Sequence, residues 1–506
     1  MDYLLTGTQM QQADRFTIEH TDVTALELME RAAQSCIQVM EEERISLDAP
    51  CIVCGSGNNG GDGFAIARLL AEKGYSPTVC MVGNRKHCTR ETEFQMAALD
   101  QTGIPVRDGY VPGNYSTVID AVFGVGLNRE IQGDCREVLR QMNESSGLKV
   151  AIDIPSGISA DTGMVMGIAF LADITITFQK RKTGLFLSPG RSYTGKIFVT
   201  DIGISTSQLC ADGIFLPDLC DYQKMLPARP EDANKGDFGK LLVIAGSRGM
   251  SGAAYLNAMA AYLSGAGLIK IYTAEENRQI LQSAVPEAIL CTYREFDRQD
   301  LTELLQWADT VCIGSGLGTS MTSLELLRTT LESGKGPFVI DADGLNLLSA
   351  HPESFRCLSG KTAVLTPHMK EMSRLLNTTV EDLKEHRISL LKSFVKEHAV
   401  VCVLKDARTL TGVPDQGLFF NRSGNCAMAK AGAGDVLAGI IAGLMAQHQT
   451  PGNAACLGVY LHGRSGDLAR EAKGVYSVLA RDLLEYISFA FMEISGEKPQ
   501  ERKEWL

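Results

Sequence analysis

The feature that most constrains the fold is a unit of apolar strand, glycine-rich turn and helix, which occurs in both halves of the chain. In the first half, the apolar run 51–54 leads into GSGNNGGDG at 55–63 and a helical pattern at 64–73. In the second half, KLLVIAGSRGMSGAA at 240–254 has the same order. Such units build α/β domains with mainly parallel sheets, whose ligands bind at the carboxyl ends of the strands.

Further strands and one strong helix are predicted from apolar periodicity. Thr24 and Glu27 form a capping-box pattern before a helix over 25–43. First-half strands are expected at 77–82, 118–123, 150–154, 174–178 and 197–200. Second-half strands are expected in 267–274, 309–320, 337–348, 363–372 and 399–409. The proline-bearing segment 204–237 predicts a linker, with domains at 1–214 and 215–506.

Length and charge limit the functional classes. A chain of 506 residues is too long for one ordinary core, and its formal charge of −12 is spread out. We therefore expect neither a main role in nucleic-acid binding nor a membrane span. Fourteen cysteines without a secretory signal predict reduced thiols and a cytoplasmic location, with Cys51 and Cys54 as a core pair and not a redox site. A homo-oligomer is also expected.

The GSGNNGGDG turn has two interpretations of about equal weight. It fits the dinucleotide fingerprint only loosely. Backbone N–H groups from Asn58–Gly61 could hold a pyrophosphate, while Asn59 offers an oxygen to a cation. Alternatively, the stretch is a glycine turn closed by asparagine hydrogen bonds.

Three oxygen-bearing side chains follow apolar strands in the first domain. Asp120, Asp153 and Ser156 should open onto the same sheet edge as the glycine turn. Such hard oxygen ligands suit K⁺, Mg²⁺ or Ca²⁺ and not zinc. Each residue alone could instead cap a helix or turn, but three at strand ends favour a site.

The stretch Asn421–Ala442 places an acid at a helix mouth. Small residues at 430–434 precede Asp435, and an apolar stripe follows at 436, 437, 440, 441 and 444. Free amides at a helix start favour a phosphate, which a neighbouring carboxylate would repel. The carboxylate makes sense as a base that removes a proton from a phosphate-accepting hydroxyl. The alternative is an ordinary N-cap.

Other second-domain motifs also end strands. They are GSGLG at 314–318, DADGLN at 341–346, TPH at 366–368 and KDART at 405–409. His368 could donate a hydrogen bond to a ligand, although a lone histidine is more often structural. Lys405–Thr409 could position nucleotide phosphates or form a solvated turn, with equal weight.

With these motifs in order, the chain resembles the bifunctional NAD(P)H-hydrate repair enzymes. These fuse an NAD(P)HX epimerase to an ADP-dependent (S)-NAD(P)HX dehydratase. NNGGDG (58–63), DAVFGVGL (120–127), DIPSG (153–157) and KTGL (182–185) carry the epimerase resemblance. KGDFGKLLVIAGS (235–247) and GNCAMAKAGAGDVLAG (424–439), with GSGLG, DADGLN and TPH, carry the dehydratase resemblance.

The resemblance implies an α/β fold class with a Rossmann-like three-layer epimerase domain and a ribokinase-like dehydratase domain. It implies that the hydrate binds in the first domain to Asn58, Asn59, Gly60, Gly61, Asp62, Gly124, Val125, Gly126, Leu127, Asn128, Arg129, Glu130 and Asp153. It implies K⁺ ligands Asn59, Asp120 and Ser156. In the second domain it implies hydrate contacts from Ala253, Gly316, His368 and Asp435. It implies that Lys405, Asp406, Ala407, Arg408, Thr409 and Gly434 hold ADP, which enters with Mg²⁺ as co-substrate.

The resemblance also implies roles in catalysis. Asp435 would be the dehydratase base, and Asp153 would assist epimerisation with electrostatic help from Lys182. The family commonly has proline where Ser315 stands and glycine where Lys370 stands; neither change is expected to touch the base. The alternative function is a ribokinase-type small-molecule kinase with a non-catalytic nucleotide-binding N-terminal domain.

Overall fold

A computed structural model describes residues 2–206, 208–209 and 213–497. The chain divides into two compact units, of which one comprises Tyr3–Ile214 and the other begins at Phe215. The predicted linker 204–237 lies partly outside the described residues. Its described part is more regular than expected, because it contains a short strand and a short helix.

The first unit is a parallel sheet between helices. Its elements are β1 (Asp2–Leu4), α1 (Gly7–His20), α2 (Ala25–Glu42), β2 (Pro50–Cys54), α3 (Asn58–Glu72), β3 (Thr78–Met81), α4 (Arg90–Asp100), β4 (Val106–Asp108), β5 (Thr117–Ala121), α5 (Gly133–Glu144), β6 (Leu148–Ile152), β7 (Ile174–Phe178) and β8 (Lys196–Thr200). The seven-stranded sheet has the order β4-β3-β2-β5-β6-β7-β8, and all its neighbouring strands are parallel.

The predicted elements of this unit are present, and the structure adds others. Thr24 and Glu27 form the expected capping box of α2. One buried cluster lies between the sheet and α2–α3, and another lies between the sheet and α5. The predicted three-layer arrangement is therefore confirmed. The helices α1, α4 and α5 and the edge strand β4 were not predicted.

The second unit is also α/β. From residue 214 its elements are β9 (Ile214–Leu216), α6 (Leu219–Lys224), β10 (Lys240–Ile244), α7 (Ser251–Leu263), β11 (Leu268–Ala274), α8 (Arg278–Ala284), β12 (Ile289–Tyr293), α9 (Arg298–Trp307), β13 (Thr310–Ile313), α10 (Met321–Ser333), β14 (Phe338–Ile340), α11 (Asp343–Ala350), β15 (Ala363–Leu365), α12 (Met369–Leu375), α13 (Val380–His398), β16 (Val401–Leu404), β17 (Leu410–Val413), β18 (Gly417–Phe420), α14 (Ala433–Ala446), α15 (Pro451–Lys473) and α16 (Ala480–Ser495).

Its sheet is mainly parallel, as predicted, with an antiparallel end. From β9 onward, the strands lie in the order β9-β18-β17-β16-β15-β14-β13-β10-β11-β12. Neighbours from β12 to β16 are parallel. The strands β16, β17 and β18 are antiparallel to their neighbours in this group. Because β16 is parallel to β15, the loop after β16 lies at the same edge as the loops after β13, β14 and β15.

Helix α14 is the centre of this unit. The predicted apolar stripe is buried, and so is every other residue from Val436 to Ala446. The helix is enclosed because α7 and α15 pack against it. Gly439 permits the close approach of α7, since a Cβ there would lie 2.2 Å from the Asn257 carbonyl oxygen.

Two further expectations concern cysteines and membranes. Cys51 and Cys54 are fully buried in β2, which confirms them as core residues. Among the described residues, no helix has the length and apolar character needed to cross a membrane.

Candidate active sites

The first unit contains a cavity of about 660 Å³. We call it the epimerase-side cavity. The sequence-predicted residues that line it are Asn58, Asn59, Asp62, Gly124, Val125, Gly126, Leu127, Asn128, Arg129 and Asp153. Gly60, Gly61 and Glu130 are not among its lining residues. The structure thus brings most of the predicted epimerase residues into one cavity.

The glycine-rich stretch forms the start of a helix and not a loop. Helix α3 begins at Asn58, and the Gly61 amide already donates to the Gly57 carbonyl. The predicted cradle of free amides therefore shortens to residues 58–60. Gly60 is required by packing, because a Cβ there would lie 1.9 Å from the Gly55 carbonyl oxygen. Tertiary packing overrides the low helix propensity of glycine here.

The predicted K⁺ ligands Asp120 and Ser156 are in contact. Asp120 lies inside β5, fully buried, and not after it as expected. Its carboxylate accepts hydrogen bonds from the Ser156 hydroxyl (2.6 Å) and the Ser156 amide (2.8 Å). Burial raises the pKa of Asp120 to about 6. A nearby cation would offset this cost of burying a charge.

Asn59, the third predicted ligand, lies beside the loop that follows β5. A Cβ on Gly124 would be 3.4 Å from the Asn59 amide oxygen. The neighbouring Phe123 amide donates to the Ser156 hydroxyl at 2.8 Å. The donor set contains amide, hydroxyl and carboxylate oxygens with a single charge, which fits K⁺ better than a divalent ion. No group of three or more His, Cys, Asp and Glu residues suited to a metal occurs within the described ranges.

Asp153 and Lys182 form a buried ion pair in the cavity wall. The Lys182 ammonium donates to the Asp153 carboxylate at 2.5 Å, and the lysine is 1% exposed. Asp153 has a φ of 67°, an unusual value for a residue with a Cβ. Strained backbone of this kind is often found at functional sites, where the surrounding structure maintains it.

The second site is formed around Lys405, at the carboxyl ends of the second sheet. Lys405 donates to Asp341 at 2.7 Å. It also faces Glu371 and Asp435. We call these four residues the Lys405 cluster. A Cβ on Gly434 would be 3.4 Å from the Lys405 nitrogen, so the start of α14 borders the cluster.

Asp435 lies in the first turn of α14, as predicted. Gly432, with a φ of 92°, is the N-cap, and it carries no capping side chain. The Asp435 carboxylate is not a cap, so the alternative N-cap interpretation is wrong. Burial, followed by the negative charge of Asp341, raises the pKa of Asp435 to about 6. A carboxylate with this pKa suits a general base near neutral pH.

The contact of Ser315 with Asp435 contradicts the expectation that the family departure at Ser315 does not touch the base. A hydrogen bond from Ser315 lowers the pKa of Asp435 against the larger effect of burial. The family departure at this position therefore does touch the proposed base. The Asn257 amide donates to the Ser315 hydroxyl at 3.2 Å and so orients it.

Only part of the predicted nucleotide motif 405–409 faces the cluster. The Asp406 carboxylate accepts from Arg387 at 3.1 Å. The Arg408 guanidinium donates to the Arg422 carbonyl at 2.9 Å. These two side chains stabilise the turn that contains Ala407 and Thr409, while Lys405 extends into the site. The turn interpretation therefore describes residues 406–409, while nucleotide binding by this motif stays a prediction.

Two of the predicted hydrate contacts adjoin, and a third caps a helix. A Cβ on Gly316 would lie 2.8 Å from the Ala253 Cβ, so these residues adjoin. His368 caps α12, where its Nδ1 accepts from the Lys370 amide at 3.0 Å and the Glu371 amide at 3.2 Å. The ring is half-exposed, and its Nε2 lies 3.5 Å from Glu371. His368 is therefore a structural cap whose second nitrogen remains available as a donor.

Sequence reasoning missed several residues of these sites. Asp14 lines the epimerase-side cavity from the unpredicted helix α1. Asp341 and Glu371 lie in motifs that were recognised, but they were given no role. Burial raises the pKa of Glu371 to about 7. The capping pattern of Thr6 and Gln9 was the available signal for α1.

Comparisons with known proteins match both units. A family model described as YjeF-related protein N-terminus matches residues 25–184, and one described as NAD(P)H-hydrate dehydratase matches residues 241–488. A bifunctional NAD(P)H-hydrate repair enzyme of Moorella thermoacetica is 34% identical over 98% of this chain and 98% of its own length. That of Escherichia coli is 33% identical over 94% of this chain and 91% of its own.

Solved structures similar to this chain match about half of it. An ADP/ATP-dependent NAD(P)H-hydrate dehydratase of Bacillus subtilis, crystallised with ATP and Mg²⁺, is 27% identical. It covers 55% of this chain and 97% of that chain, with a TM-score of 0.47. A ribokinase-like superfamily protein of Enterococcus faecalis is 28% identical, covers 56% of this chain and 96% of that chain, and has a TM-score of 0.49.

The two sheets, each with acidic and basic groups at its carboxyl edge, define a two-unit α/β enzyme with a Rossmann-like first half and a ribokinase-like second half. The relatives match over nearly their full length. The chain belongs to the family of bifunctional NAD(P)H-hydrate repair enzymes.

Proposed function

We propose that this chain repairs hydrated NADH and NADPH in two reactions. Residues 1–214 form the epimerase domain, which interconverts (R)- and (S)-NAD(P)HX. Residues 215–506 form the dehydratase domain, which converts (S)-NAD(P)HX and ADP into NAD(P)H, AMP and phosphate. The observation that carries the proposal is Asp435, a partly buried carboxylate with a pKa near 6 in the first turn of α14, beside Lys405.

The dehydratase reaction begins with activation of a poor leaving group. The hydrate carries a hydroxyl at C6 of a reduced nicotinamide ring. Asp435 takes the hydroxyl proton while the oxygen attacks the β-phosphorus of ADP, and the bond to the AMP oxygen breaks. The ring nitrogen then expels phosphate from C6, and loss of a C5 proton gives NAD(P)H.

Several residues would position the reactants of this domain. Amides of Ala433 and Gly434 at the start of α14 stabilise the transferring phosphoryl group. Lys405 supplies the positive charge, and the turn 405–409 holds the nucleotide. Ala253, Gly316 and His368 contact the hydrate. Glycine at 434 keeps the approach to the Lys405 nitrogen open.

The Lys405 cluster contains more acidic than basic groups. Asp341, Glu371 and Asp435 surround one lysine, so an ADP phosphate would meet net negative charge without a metal. Asp341 and Asp343 would hold the Mg²⁺ that enters with ADP. The ion supplies charge neutralisation to the phosphates. Carboxylate oxygens are suitable donors for it.

In the epimerase domain, the hydrate would bind along the cavity lined by Asn58, Asn59, Asp62, residues 124–129 and Asp153. Asn59, Asp120 and Ser156 would hold K⁺, which would supply a positive charge for the anchoring of the nucleotide. Asp153 assists the exchange of configuration at C6, and Lys182 stabilises its negative charge. Gly60, Gly61 and Glu130 do not line the cavity. We therefore expect them to support the residues of this wall.

The expected homo-oligomer and cytoplasmic location stay predictions. The expectation of reduced thiols in a chain with fourteen cysteines supports the location.

One assay tests the function. Mixed epimers of NADHX are incubated with the full chain, ADP, Mg²⁺ and K⁺, and the recovery of dihydronicotinamide absorbance is followed. The proposal predicts recovery of the whole hydrate pool. Recovery that stops at the (S) fraction would contradict the epimerase role, and a stable phosphorylated product would favour the kinase alternative.

A further inference from the structure

Helix α1 forms one wall of the epimerase-side cavity and is fixed there by several contacts. Its N-terminus is closed by the capping box of Thr6 and Gln9. The Asp161 carboxylate accepts from the Gly7 amide at 2.5 Å. Near the other end, the Thr17 hydroxyl accepts from the Ser205 amide at 2.9 Å. This anchoring holds Asp14, which lines the cavity, in a defined position.

One carboxylate oxygen of Asp14 accepts no hydrogen bond from any described residue. Its Oδ1 is shielded from solvent and receives no hydrogen bond within the described ranges. A buried polar atom without a partner costs free energy, so its retention calls for an explanation such as a ligand. Burial, followed by the charge of Asp153, raises the pKa of Asp14 to about 6.

The charged groups around Asp14 favour its protonated form. Asp62 on α3 and Asp153 after β6 face it, and Lys182 is the cation that offsets them. Burial, with the charges of Asp153 and Asp14, raises the pKa of Asp62 well above its usual value. Neighbouring negative charges disfavour the ionised form of a carboxyl group, so Asp14 and Asp62 both hold their protons to higher pH than usual.

Lys182 is not available as the proton carrier. Its ammonium group donates to Asp153 Oδ1 at 2.5 Å, to the Thr177 hydroxyl at 2.9 Å and to the Phe178 carbonyl at 2.8 Å. An ammonium group has three donors, so all three are used within the protein. Lys182 is 1% exposed and positions Asp153. The proton that the reaction needs must come from another group.

We propose that Asp14 is a second catalytic residue of the epimerase and works with Asp153 as an acid–base pair across the C6 carbon of the hydrate. This inference rests on the proposed epimerase function. The Asp14 carboxyl group protonates the C6 hydroxyl, and the C6–O bond breaks with its electron pair leaving in water. The ring nitrogen lone pair forms the N1=C6 double bond. Water adds from the opposite face and gives its proton to the Asp153 carboxylate, and the reverse reaction exchanges the two roles.

The test is Asp14→Asn in the full chain, which keeps the shape of the side chain and removes its proton transfer. The conversion of (R)-NADHX is measured through the chain's own dehydratase reaction with ADP, Mg²⁺ and K⁺. We expect the epimerisation rate to fall about 10²–10⁴-fold, the usual contribution of a positioned acid or base. The rate on (S)-NADHX should stay at the wild-type value, which shows that the coupling dehydratase reaction is intact. An unchanged circular-dichroism spectrum and melting curve check that the first unit is folded.

Glu19→Gln is the matched control, because Glu19 lies on the same helix, is exposed and does not line the cavity. It should epimerise at the wild-type rate. A wild-type epimerisation rate for Asp14→Asn would overturn this proposal and leave the epimerase function standing. If the wild-type chain itself converts only the (S) epimer, the epimerase function fails and not the assignment of Asp14 alone.

The pH profile separates catalysis from a structural role. Since Asp14 must carry a proton to act as the acid, kcat/KM for (R)-NADHX should fall as pH rises above about 6. The residual activity of Asp14→Asn should lack this decrease. An unchanged decrease in the variant would assign it to Asp62 or Asp153 and contradict the role of Asp14.

Discussion

At the scale of single residues, the dehydratase site depends on the ionisation of one carboxylate. Burial raises the pKa of Asp435 to about 6, and the base must be ionised to accept a proton. We therefore expect dehydratase kcat/KM to be constant above pH 6 and to fall about tenfold per pH unit below it. Asp435→Asn should lower the rate about 10²–10⁴-fold. Steady-state rates on (S)-NADHX between pH 5 and 8 measure both, and a near-normal rate for Asp435→Asn would refute its role as base.

Ser315 lowers the pKa of the Asp435 carboxyl group. Its hydrogen bond favours the ionised form of Asp435 and so lowers the pKa. Ser315→Ala removes that hydrogen bond, and the acid side of the dehydratase profile should move to higher pH. Thr319→Ala, an exposed residue of the same loop, is the control and should leave the profile in place. A profile that does not move in Ser315→Ala would show that the hydrogen bond has no effect on catalysis.

At the scale of elements, α14 combines a catalytic start with a tightly packed body. A Cβ at Gly439 would lie 2.2 Å from the Asn257 carbonyl oxygen and 2.8 Å from the Ala260 Cβ. We expect Gly439→Ala to destabilise the second unit by about 1–3 kcal/mol, because overpacking exceeds the gain in helix propensity. Urea unfolding followed by tryptophan fluorescence measures this, since Trp307 and Trp505 both lie beyond residue 215.

Gly252 provides the matched control for that substitution. It is also helical, on α7, and a Cβ there meets nothing within 4 Å. Gly252→Ala should stabilise the unit by roughly 0.5–1 kcal/mol through propensity alone. Destabilisation of similar size in both variants would mean that the close contact between α7 and α14 is not the cause.

Elements also show what could be predicted from sequence. The strands β2, β7 and β10 and the helices α2 and α14 have long apolar patterns or strong caps, so periodicity found them. Helix α1 was missed because few of its residues face the core; the buried ones are Gly7, Met10, Ala13 and Thr17. The start of α3 at Asn58 depends on the close packing of Gly60 against Gly55. Helix propensities do not describe this contact.

The same limit applies to the sites. Asp120, Asp153 and Asp435 could be singled out because they lie at or near strand ends or at a helix start. The partners that determine their chemistry could not, since Asp14 approaches Asp153 and Ser315 approaches Asp435 only through the tertiary fold. Sequence motifs therefore located the sites, while the raised pKa values required the three-dimensional structure.

At the scale of the whole molecule, each site is built from residues of one compact unit. We therefore predict that two defective chains complement each other. Asp435→Asn alone should recover almost no NADH from mixed epimers, and Asp153→Asn alone should recover only the (S) fraction. A mixture of both chains should recover the whole pool, because epimerised hydrate is released and taken up by the intact dehydratase.

The final absorbance measures this complementation. The control contains Asp153→Asn alone at twice its concentration, so that its total protein equals that of the mixture. An endpoint for the mixture that stays at the (S) fraction would mean that the hydrate does not pass between molecules.

The enclosure of α14 has a consequence for how this protein fails on heating. Asp435 lies at the start of a helix whose remaining residues are buried. We therefore expect this helix to move only when the surrounding core opens. Enzymes whose catalytic groups lie on loops often lose activity below the melting temperature of their fold. Here an Arrhenius plot of the dehydratase rate constant should stay linear up to the melting temperature of the second unit. Thermal loss of activity and loss of structure should therefore be one event.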